Sequence, residues 1–146
     1  MRKIFVAAAC ALVASGLGVL AQQGDPIRQR QDLMKSNQEQ VRLLTGMVRG
    51  QAPFNAATAQ AAFGRIEQNA RQIPALFPAG SHQGKTEALP VIWERKADFD
   101  AHAAKLEQDA KAAQAGITDQ ASLQAALQRV GQNCGGCHQT YRKKET

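Results

Sequence analysis

From Pro26 onward the apolar positions fall into four runs with helical spacing, and none keeps the alternation of a strand for long enough to predict a sheet. In the first run Ile27, Met34, Val41 and Val48 recur at sevens with Leu44 on the same side, and Pro26 stands where a first helical residue needs no N–H. Gly50 and Pro53 interrupt the pattern. Asn55 is the expected N-cap of a second run, Ala59, Ala62, Phe63, Ile66, Ala70 and Ile73, which Pro74 stops. The stretch PALFPAGSHQGK reads as loop. A third run, Ile92, Phe99, Ala103, Leu106, Ala110 and Ala113, is expected to close at Gly116 in a C′ position. Thr118 is then the expected cap of the fourth, Leu123, Leu127, Val130, Cys134, His138 and Tyr141. Four amphipathic helices with short connections predict an all-α fold, an antiparallel up-down-up-down four-helix bundle.

The segment ahead of these helices has a different character. Arg2 and Lys3 precede an uncharged run from Ile4 to Ala21 that ends in Val19-Leu20-Ala21, the small-residue pattern of a signal-peptidase site. The run is at the short edge of spanning length and is richer in alanine and glycine than in leucine, so a removed secretion signal over 1–21 is expected rather than a retained anchor. Cys10 would leave with it. The expected mature chain, 22–146, is a single domain, periplasmic and not inserted in a membrane.

Charge narrows the partners. The formal net charge of +6 falls by two without Arg2 and Lys3, and the remaining cations are dispersed apart from Arg142-Lys143-Lys144, which suit a helix C-terminus. No basic stripe interleaved with aromatics is present, so a nucleic-acid partner is not expected.

The chemistry is concentrated in NCGGCHQTYRKK, residues 133–144, which holds the two cysteines and one of the three histidines left to the mature chain. On a helix, Cys134, Cys137 and His138 share one side, which is expected to face the bundle interior. C-x-x-C-H is the haem c attachment pattern: each thiol adds across a haem vinyl group and the adjacent histidine becomes an axial iron ligand. Gly135 and Gly136 each cost a helix about 1 kcal/mol relative to alanine, a cost that makes sense where a macrocycle lies against the backbone. A zinc site would need a fourth ligand from His82 or His102 without a second paired motif. A thioredoxin-like pair lacks its βαβ setting, and a plain disulfide leaves the histidine unexplained.

These residues also carry a family resemblance. CGGCHQTYR at the end of the last helix, IPALFPAG, and ALPVIWERKADFD at the head of helix three resemble the class II cytochromes c, the family of cytochrome c′ and cytochrome c-556, over about Asp25 to Lys143. A motif close to the C-terminus separates this family from the class I cytochromes. The resemblance implies a four-helix bundle enclosing one covalently attached haem c, with Cys134 and Cys137 as attachment cysteines and His138 as proximal ligand. The family's basic residue one turn further on falls on Arg142, and Tyr141 stands where many relatives have phenylalanine.

The family divides at the opposite face of the haem. Cytochromes c′ place an apolar side chain there, leaving a five-coordinate iron that takes NO or CO; c-556-type members supply a methionine from helix one. Matching Arg30 to the family arginine one turn before that position puts Met34 over the iron, and the LMKSN stretch is similar to the c-556 form. Methionine is also a ready filler of irregular cores, a one-residue slip would substitute Leu33, and Met47 lies more than three turns away. The resemblance implies a periplasmic one-electron carrier rather than an enzyme, with redox proteins as partners, as monomer or homodimer; the alternative is a gas-binding cytochrome c′. Trp93 and Phe99 are expected against the haem or the core, His82 and His102 are assigned no role, and Arg30 and Arg142 are expected to reach haem propionates or peptide carbonyls.

Overall fold

The computed structural model describes residues 25–144, so the expected signal segment lies outside the described residues. Four long helices, α1 (Pro26–Val48), α2 (Ala56–Gln72), α4 (Lys96–Gly116) and α5 (Gln120–Tyr141), form the bundle, with a one-turn helix α3 (Val91–Glu94) before α4. Sequential helices are neighbours, and α5 returns beside α1 to close the ring, which is the expected up-down-up-down order. Among the described residues the sole β-type pairing is one bridge between Ala88 and Arg142.

Local chemistry sets the helix ends. The Asp25 side chain accepts from the Ile27 N–H ahead of Pro26, and Asn55 accepts from the Thr58 N–H at 2.8 Å, as expected of an N-cap. The predicted third helix is divided: Arg95 leaves the helical conformation at φ −120° and ψ 42°, so the turn carrying Trp93 is set off from α4. Gly116 is the last helical residue rather than a left-handed C′ glycine, and Ile117 follows in extended conformation. Asp119, not Thr118, caps α5: its carboxylate accepts from the Ser122 N–H at 2.8 Å while Ser122 Oγ accepts from the Asp119 N–H at 3.0 Å, a reciprocal box that Thr118 cannot make.

The core runs along the bundle axis. Leu44, Phe63, Ile66, Ile92, Ile117, Leu123 and Val130 are its largest fully enclosed side chains. The most extensive packing is between α2 and α4, whose facing positions are rich in alanine, including Ala59, Ala62 and Ala70 against Ala103, Ala110 and Ala113. Small side chains let helix backbones approach closely. At Gly64 a Cβ would stand 3.2 Å from the Gln114 amide nitrogen, so that crossing requires glycine or a shifted Gln114. The seam between α1 and α5 is packed less extensively. No helix of the described residues is long and apolar enough to cross a membrane.

Candidate cofactor site

The buried line of α5 runs through Leu123, Val130 and Tyr141. At 100° per residue, Cys134 and Cys137 stand about 30° to either side of that line, whereas His138 is about 70° round. Their burial follows: both cysteines are half-buried against the core, and His138 is exposed at its margin. The expectation that all three point into the interior is corrected for the histidine, which lines an open depression with Gln139, Arg142, Lys143 and Lys144.

Both thiols are free. Burial raises the Cys134 pKa, and burial together with the neighbouring Cys134 and Asp98 pushes Cys137 up to about 11. Partial desolvation, then the Arg142 cation, lowers the His138 pKa. At neutral pH the cluster therefore offers two protonated thiols and an imidazole with a free lone pair.

The end of α5 is clasped from two sides. The Tyr141 hydroxyl donates to Asp98 Oδ2 on α4, which also accepts from Arg95 at 3.0 Å, and the Tyr141 ring meets Phe99 and His102 edge-on. On the other side the Leu89 N–H donates to the Tyr141 carbonyl at 3.0 Å and the Lys143 N–H to the Glu87 carbonyl at 2.8 Å. Arg142 Nε pairs with Glu87 at 2.6 Å, so that arginine engages a carboxylate of the chain itself. Asp98 and Glu87 had no signal in the sequence, because their partners lie more than forty residues away.

On α1 the buried side chains are Arg30, Leu33, Leu44 and Met47, while Met34, Val41 and Val48 are half-buried along one edge. This corrects the predicted inward stripe, which is the margin of the true one by roughly 90°. Arg30 reaches peptide carbonyls, as one of its expected roles required: Nε donates to Pro26 at 3.1 Å and Nη2 to Ser81 at 2.5 Å. Its guanidinium lies 4.5 Å over the Phe77 ring, near Trp93, whose Nε1 donates to the Pro78 carbonyl at 2.8 Å. Trp93 therefore ties the loop to the bundle, and Phe99 is in the core. Burial lowers the Arg30 pKa, and its Nη1 is buried without a hydrogen-bond partner among the described residues.

Two observations show how α1 faces α5. Asn69 of α2 bonds Ser36 and Asn37, whose mean direction is about 110° around α1 from Met34, so the Met34 edge lies to one side of the face that meets Asn69. Gln120, on the same side of α5 as Leu127 and His138, donates from Nε2 to the Met47 and Val48 carbonyls at 3.3 Å each. The two helices are antiparallel, so stepping equally along both from that tie brings Leu127 level with Val41, and Cys134 level with Met34.

The residues present fit haem c. The donor set has its spacing and protonation states, and Arg30 Nη1 is a buried donor in want of an acceptor such as a haem carboxylate. Fold and donor set define a four-helix-bundle haem protein. The family model for cytochrome C′ matches residues 25–142, and the chain belongs to that family, whose members carry covalently attached haem c. It is 41% identical over 145 residues to a cytochrome c′ of Rhodopseudomonas palustris, covering 99% of both chains. It is 42% identical over 120 residues to a cytochrome c-556 of Agrobacterium fabrum, covering 82% of each. The solved cytochrome c′ from Rhodopseudomonas palustris superposes with a TM-score of 0.81 at 42% identity, over 85% of this chain and all of the other. The chain is thus a haem protein of a family of electron carriers and gas binders, and relatives bearing both names are equally similar to it.

Proposed function

We propose that this chain is a periplasmic one-electron carrier. In this reading residues 1–21 are a removed secretion signal, Cys134 and Cys137 hold the haem through thioethers, and His138 and Met34 are its axial ligands. The observation that supports the reading is the Gln120 tie between α5 and the end of α1, from which equal steps along antiparallel helices would bring Met34 level with Cys134, both half-buried against the core. Leu33, the rival for the distal position, is committed to the core with 8% of its surface exposed.

When bound, haem c supplies an iron that passes between ferric and ferrous states. The chain's part is to hold that iron still. Two ligands retained in both states would keep reorganisation small, and a thioether paired with an imidazole would favour the reduced state. Partial burial and Arg142 keep the His138 imidazole neutral, the form that binds metal. The exposed edge at His138 is the side from which a redox partner protein would exchange electrons.

A second reading, a five-coordinate cytochrome c′ that captures small gases, is supported by the 41% identity to a protein of that name. The visible spectrum of the isolated protein separates the two. The carrier reading expects sharp low-spin bands on reduction. Broad high-spin features in both oxidation states would replace it with the gas-binding reading.

A further inference from the structure

The middle of α1 is held differently from its ends. Between Leu33 and Leu44, more than two helical turns, no residue of α1 is fully buried, and this is the segment that carries Met34 and Val41. Apolar packing, through half-buried Met34 and Val41, therefore fixes its distance and rotation only in part. A buried amide from the neighbouring helix ties it as well. Asn69 of α2, 7% exposed, donates from Nδ2 to Asn37 Oδ1 at 2.8 Å and to Ser36 Oγ at 3.1 Å. Ser36 and Asn37 are half-buried, within one turn of Met34. One turn to the other side, Arg30 is fixed by Ser81 and the Phe77 ring. Met34 thus sits between two polar anchors, and the Asn69 anchor bears on the segment that has no fully buried side chain.

A buried amide costs free energy unless paired, so its presence where a leucine would fill the space calls for a reason. We propose that Asn69 is a positioning residue for the distal iron ligand: by holding Ser36 and Asn37 it fixes the approach of α1, and so sets how readily the Met34 thioether leaves the iron. The proposal rests on the reading of Met34 as ligand. Its consequence is that one residue on α2, far from the attachment motif, sets the balance between a closed site that relays electrons and an open one that captures gas. The balance is a population shift: an external ligand binds only the open fraction, so raising that fraction raises its apparent affinity and rate in proportion.

The test uses the ferrous holo-protein and carbon monoxide as probe. In the wild type, CO must wait for Met34 to dissociate. Asn69→Leu, close in volume, should speed CO binding about tenfold, the equivalent of 1.4 kcal/mol and the order of one hydrogen bond. In a Met34→Ala background, where the site is already open, the same change should leave the CO rate where it was. Equal effects in the two backgrounds, or no effect in the wild type, overturn the proposal, and a loss of thermal stability alone does not support it. If Asn69→Leu does not fold, Ser36→Ala with Asn37→Ala removes the same two bonds from the α1 side and is read identically. A wild type that already binds CO as fast as Met34→Ala overturns the ligand reading and this proposal together. A slow wild type that Asn69→Leu leaves slow overturns the proposal alone.

Discussion

Leu123 and Leu127 lie one turn apart on α5 and differ in what covers them. Leu123 is fully enclosed by protein at 0% exposure, whereas Leu127 is half-buried on the seam that faces α1. Replacing Leu123 with alanine removes the transfer free energy of a fully buried side chain and leaves a cavity, together about 3–4 kcal/mol. If protein alone covered Leu127, the same change there would cost about 1 kcal/mol, because part of its surface already meets water. With the haem lying along the seam that part would be covered too, and the cost would rise to about 2–3 kcal/mol. Leu43, 40% exposed on the outer face of α1, is the control and should cost about 1 kcal/mol or less. Chemical denaturation of the holo-proteins measures all three, and a domain of this size should lose about 4 °C of melting temperature per kcal/mol. A Leu127→Ala cost as small as that of Leu43→Ala would refute the placement of the haem against the α1–α5 seam.

Three further outcomes follow from the site. Thioether attachment means that the haem stays with the protein through acid-acetone extraction, and Cys134→Ala with Cys137→Ala should give little soluble folded protein; a cooperatively melting helical double variant would argue against a haem-centred core. The Tyr141 hydroxyl, ahead of Arg95, holds the Asp98 carboxyl below its ordinary value of 3.8. A carboxylate with a depressed folded pKa adds stability that is present above the ordinary value and lost as pH falls through the depressed one. Tyr141→Phe should therefore melt lower near neutrality and converge with the wild type on acidification from about pH 5 to pH 2; parallel melting curves across that range would show that Tyr141 does not act through Asp98.

The four long helices could be read from spacing because each bears an apolar stripe, and α1 and α2 also from punctuation, with Pro26, Asn55 and Pro74 at their ends. The errors arose where two neighbouring residues competed for one role. Thr118 and Asp119 are both good caps, and the reciprocal bond with Ser122 decides for Asp119. On α1 the stripe of sevens and the buried line are adjacent, and a period alone does not say which of two adjacent lines faces inward. That the chain is a haem c protein was legible because the C-x-x-C-H spacing is itself the chemistry. The supports around it were not: Asp98 and Glu87 reach the end of α5, and Asn69 reaches α1, from distant parts of the chain. Pairings over that sequence distance leave no local pattern to find.

The axial pair of His138 and Met34 is the claim on which the carrier reading stands, and one comparison bears on it most directly. CO binding to the ferrous protein should be slow in the wild type and limited by departure of the thioether. In Met34→Ala it should be fast, with a high-spin spectrum before CO is added, since only an apolar pocket or a weakly held water would face the iron. Identical spectra and identical CO kinetics in the two proteins would contradict the account and leave Met34 as an ordinary side chain of the seam.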